Sequence, residues 1–190
     1  MGCNDGIAAN IISDCTTSKA GGLEVKAWVL NRTNAVITYD ETTPNLITTI
    51  AMEAGEQAFT IVGTKKLLNT GHDVVVADDR PDKYTHYFNF QQFEILSEKI
   101  VNADNINDVI IIVETKDKND TGDGVFIAYG VKNGLWKSTD TQRANDINGA
   151  RNIELTSLGG QEEPYSRYVV LSTDYDTTLT MLESLEEVAT

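Results

Sequence analysis

The chain has 190 residues, 29 Asp and Glu against 15 Lys and Arg, and a formal net charge of −14. With 41% hydrophobic residues it has the make-up of one ordinary globular domain rather than of a disordered chain. So acidic a surface repels duplex DNA and anionic lipid, which excludes a sequence-reading DNA protein but not one that stays near DNA without sticking to it.

Residues 1–22 are rich in Gly, Asn, Ser and Thr and read as an N-terminal arm, leaving 23–190 as a single domain. Cys3 and Cys15 lie in that arm. His72 and His86 are too distant to join them at zinc-finger spacing; free thiols are the expected state, with a Cys3–Cys15 disulfide closing a short loop as the alternative. Gly6 stands where a myristoylation motif needs Ser or Thr. No apolar run reaches the roughly 18 residues of a membrane span and no signal-peptide core follows the start, so a soluble, unexported protein is expected.

Residues 23–30 (LEVKAWVL) alternate as a strand, and 35–39 (AVITY) follows after Asn31–Asn34 turn chemistry. The runs 46–52 and 57–67 read as a strand pair around Glu53–Glu56, and 72–78 as a further strand. In 79–90, Tyr84, His86, Phe88 and Phe90 share one strand face, where a hydrogen-bonded core or interface histidine is expected. Phe93, Leu96 and Ile100 recur at helical spacing and predict an amphipathic helix over about 91–104. Residues 107–116, apolar on both faces from Val109 to Val113, predict a central strand, paired with 124–131 across the polar stretch KDKNDTGDG. The segment 133–150 reads as irregular, and 151–157 with 165–171 as a hairpin. A C-terminal helix over about 176–188 carries the stripe Leu179, Leu182, Leu185 and Val188, with Asp174 or Asp176 as N-cap. Nine or ten strands and two helices predict a mainly β (α+β) fold, an antiparallel sandwich or barrel with a flanking and a C-terminal helix.

The stretch 116–124 starts like an EF-hand loop, with Asp117, Asn119, Thr121 and Gly122 at positions 1, 3, 5 and 6. Position 12 is Ala128 and the flanks are β, so the reading becomes a hairpin tip whose candidate contact residues are Asp117, Asn119, Asp120, Gly122 and Asp123. No nucleophile stands beside a base, no phosphate loop or HExxH is present, and no catalytic, cofactor or metal site is expected. Asp78, Asp79 and Asp82 read as a solvated turn; an enzyme would need them to face Asp117, Asp120 or Asp123 across a cleft. Trp28, Trp136, Tyr84 and Tyr87 would give a carbohydrate-binding module its stacking platform if they shared one exposed face.

From Val125 to Gly130, through Gly134-Leu135 and Asn145-Asp146-Ile147-Asn148-Gly149 to the ELTS strand, the layout resembles phage virion proteins of the tail-tube type. The likeness is to those of phages and prophages of Bacteroidetes, and it covers residues 80–175 best. The resemblance implies a β-sandwich or barrel that assembles with copies of itself into rings, commonly hexameric, and stacks into a tube for the genome. It also implies contacts with other tail or connector proteins, DNA passing the lumen without sticking, and a place in the virion after assembly in the bacterial cytoplasm. On that view the tip at 116–124 touches another ring or the lumen rim, and the polar segments 1–22, 40–45 and 133–150 serve as arms.

Overall fold

The computed structural model describes residues 21–63, 68–78, 81–93, 96–118, 121–145 and 149–189. Asn119, Asp120, Asp79, Cys3 and Cys15, and the arm as far as residue 20, lie outside them. The described chain is mainly β, with eleven strands in two sheets and two α-helices.

Strands β1 (Leu23–Asn31), β2 (Ala35–Tyr39), β3 (Leu46–Met52), β4 (Phe59–Val62), β7 (Val109–Thr115), β8 (Phe126–Tyr129) and β11 (Tyr168–Val170) form a seven-stranded sheet ordered β2-β3-β11-β8-β7-β1-β4. Strands β5 (Asn69–Val75), β6 (Lys83–Gln92), β9 (Trp136–Gln142) and β10 (Arg151–Thr156) form a four-stranded sheet ordered β5-β6-β10-β9. Only β3 and β11 pair in parallel. Helices α1 (Ser97–Asp104) and α2 (Tyr175–Ser184) complete the fold.

The layers follow from strand alternation. Ala27, Val29, Val109, Ile111 and Val113 face Phe88, Phe90, Ile153 and Leu155 of the smaller sheet. Trp28, Leu30, Ile110 and Ile112 point the other way and pack with Leu182 and Leu185 at α2. The order is therefore small sheet, large sheet, helix. Strand β7, buried on both faces, is the central strand that its unbroken apolar run predicts.

Several expectations are corrected. The runs 46–52 and 57–67 are not a hairpin: β3 pairs with β2 and β11, while β4 crosses to pair with β1. The C-terminal tail holds that crossing, because Ala58 N donates to Leu185 O, Gly55 N to Ala189 O and Ala189 N to Glu56 O. Nor are 151–157 and 165–171 a hairpin, since β10 lies in the small sheet and β11 in the large one. Segment 133–150 contains β9, whose polar side chains suit an edge of the small sheet. Residues 40–45 are a closed turn rather than an arm: the Asp40 carboxylate accepts from the amides of Thr42 and Thr43 at 2.9 and 2.8 Å.

The helices are shorter than their periodicity predicts. Residues Gln91 and Gln92 remain in β6, paired with Asn152 and Arg151, so α1 begins only at Ser97. Helix α2 starts where Asp174 accepts from Thr177 N at 2.8 Å, and it stops at Ser184 as the chain turns toward the β3–β4 connection. Val188, expected in its apolar stripe, is 56% exposed.

Candidate assembly surface

The tip residues are built into the fold. Gly122 has φ +77° and is buried: a Cβ there would lie 2.7 Å from Tyr175 N and 2.9 Å from Tyr175 Cα. The tip thus packs on the first turn of α2. Lys118 reaches Glu114 at 3.0 Å and Glu24 at 3.6 Å, while the Tyr175 hydroxyl donates to Glu114 at 2.7 Å. The hydrogen bond with Glu114 holds the Lys118 ammonium above its ordinary pKa. Asp117 is half-buried and Asp123 exposed. Gly122→Ala is expected to destabilise by about 2 kcal/mol or more in urea unfolding, since a left-handed backbone and a backbone clash must both be relieved.

Asp78 and Asp82 are exposed, and the Asp82 carboxylate accepts from Ala77 N at 3.3 Å across the turn. They are a turn element, as their composition predicts. Among the described residues no group of three or more His, Cys, Asp or Glu side chains could hold a metal ion, and no described helix is long and apolar enough to cross a membrane. Trp28 is 1% exposed in the core, its Nε1 donating to Glu186 at 3.0 Å, and Trp136, Tyr84 and Tyr87 are each half-buried. The four rings therefore do not form one exposed stacking face.

The most open feature sits where sequence reasoning placed a packed helix. Phe93, Leu96 and Val101 are 49%, 59% and 54% exposed, and among the described side chains of α1 only Ala103 is buried. Polar contacts from the small sheet dock α1 instead. The Lys137 ammonium donates to the carbonyls of Ala103 and Asp104 at 2.8 and 3.0 Å, supplying the helix C-terminus with a cation that its own sequence lacks. Arg151 holds Asp140 and Asp104 together, which pulls the Asp140 carboxyl below its usual pKa. Between α1, the end of β6 and β4 opens a cleft of about 860 Å³, lined by Val29, Phe59, Ile61, Phe90, Phe93 and Ala103 among others.

The cleft adjoins a sheet edge that no described strand pairs. β4 (FTIV) and β2 (AVITY) are the outer strands of the large sheet, and neither contains a charge or a proline. The outer strands of the small sheet do carry charge: Asp73 in β5, Lys137 and Asp140 in β9. Charge and proline are the usual guards against edge-to-edge pairing, so the large sheet is open at both ends and the small one guarded. The only sequence hint of this is the absence of charge from FTIV and AVITY, which does not by itself identify outer strands. Compared with protein-family models, curated proteins and solved structures, the chain matches none.

Proposed function

We propose that the chain is a structural subunit of a phage or prophage tail, a tube or tube-like ring component that associates with its own copies and lets DNA pass without holding it. The observation that carries the reading is a pair of uncharged edges, at the two ends of one sheet, that no described strand pairs. Two different edges make a head-to-tail contact, and such contacts generate rings when the rotation closes and filaments when it does not. The charge of −14 supports the second half of the reading, because an acidic passage repels phosphate. Other tail or connector proteins are the further partners, and the virion, assembled in the bacterial cytoplasm, is the site of action.

The test is light scattering with negative-stain imaging over a concentration and salt series. Raising salt shortens the Debye length from about 10 Å at 0.1 M to about 3 Å at 1 M, so acidic copies repel less and rings or tubes are expected to grow with salt. A chain that stays monomeric throughout overturns the reading.

A further inference from the structure

We infer that β2 of one copy docks on β4 of the next, with Val36 entering the cleft between β4 and α1; this rests on the ring-forming reading above and names its contact. Three features of the large sheet carry it.

The first is direction. Following the pairings across the sheet, β1, β8 and β2 run one way and β7, β11, β3 and β4 the other. The two outer strands are therefore opposed. A rotation about an axis parallel to the strands brings β2 of one copy beside β4 of its neighbour as an antiparallel pair, continuing the sheet from subunit to subunit.

The second is the face. On β2, Ala35, Ile37 and Tyr39 pack toward the α2 side, which leaves Val36 and Thr38 on the small-sheet side. On β4, Phe59 lies opposite Val29, and Ile61 opposite Ala27, both of which face the small sheet. In the extended sheet Val36 thus joins the row of Phe59 and Ile61. A one-residue slip would turn Val36 away from the cleft, so the apolar pattern selects the register.

The third is exposure. Val36, Phe59 and Val62 are 53%, 54% and 68% exposed, on the two outer strands themselves. A standard interface covers about 800 Å² per partner. The seam of β2 on β4 supplies the backbone part of that area, and the cleft wall at Phe93 extends it. The occupant is a second copy because the chain carries both halves of the contact.

The test uses Val36→Lys and Phe59→Lys, each on an exposed side chain, with circular dichroism melts confirming that the monomers stay folded. Each variant alone is expected to lose association by about a hundredfold or more, because a charge would be desolvated in the seam. Mixed 1:1, the two are expected to form dimers that grow no further. The intact β4 of the Val36→Lys chain meets the intact β2 of the Phe59→Lys chain, and the remaining seam sets lysine against lysine. Loss of association by Phe59→Lys with none by Val36→Lys would mean a β4–β4 contact and overturn the inference. Rings or tubes unaffected by either change would overturn it while leaving the tail reading in place; absence of assembly in the unaltered chain overturns both.

Discussion

Glu163→Ala is expected to lower stability by about 3–5 kcal/mol in urea unfolding at pH 7, the largest single-residue effect we anticipate. Glu163 is fully buried at the crossing between the sheets. Its backbone exchanges two hydrogen bonds with Tyr84 of β6, both 2.8 Å. Its carboxylate accepts from Lys132 N at 3.0 Å, from Asn133 N at 2.8 Å and from the Tyr168 hydroxyl at 3.2 Å. Burial pushes its pKa up, and the amides of Asn133 and Lys132 pull it back. Alanine would leave the buried Tyr168 hydroxyl and the partly buried amides of Lys132 and Asn133 without that acceptor. The neighbouring Arg32 forks onto Asp108 at 2.6 and 2.9 Å and donates to Lys132 O at 3.3 Å, so the turn after β8 is also tied to the large sheet and a local opening could not easily absorb the loss. Glu163→Gln, which keeps one oxygen, is expected to cost about half as much. A loss below about 1 kcal/mol for the alanine variant would show that water replaces the missing carboxylate.

Stability is also expected to fall as pH drops from about 6.5 to about 4, with His86 contributing up to about 3 kcal/mol of the change. The His86 ring is completely buried. Its Nδ1 accepts from Gly130 N at 3.1 Å and its Nε2 donates to Tyr165 O at 2.8 Å, which defines a neutral tautomer. Burial lowers its pKa to about 4, and the nearby His72 adds to the effect. A histidine depressed in the fold binds its proton more readily when unfolded. Its contribution is therefore complete above the unfolded pKa near 6.5 and is lost as pH falls through the folded value near 4. Glu163 acts with opposite sign, since a raised carboxyl pKa favours the folded state as pH falls. The His86 contribution is accordingly read as the difference between the chain and His86→Gln, by urea unfolding at pH 7 and pH 4.5. Equal pH slopes for the two would sink the assignment.

Local structure was largely legible in the residues. AVITY and LITTIAM occupy β2 and β3 with the ends that alternation predicts, and the doubly apolar 107–116 run gives the central β7. The 116–124 stretch does join β7 to β8, and His86 does sit in the core with its ring hydrogen-bonded. Asp174 caps α2 because a carboxylate just before a helical run is a local solution to a local need. Each of these depends on neighbours within a few residues.

Pairing was not legible in the same way. Nothing in FTIV says that it leaves LITTIAM to lie beside LEVKAWVL, a choice made by the tail of α2 holding Gly55, Glu56 and Ala58. The Phe93, Leu96 and Ile100 spacing promised a helix packed on the core, yet the ladder with β10 claims residues up to Gln92. Lys137 and Arg151 then dock α1 by charge and leave its apolar side chains open. The sequence by itself determined the β class, the central strand, the acidic surface and the caps, because periodicity, charge and capping are short-range properties. Only the tertiary structure decided which strands stand at the edges, that Gly122 is buried under α2, and that the cleft opens beside β4. Those depend on contacts between residues far apart in the chain, whose closure no local pattern encodes.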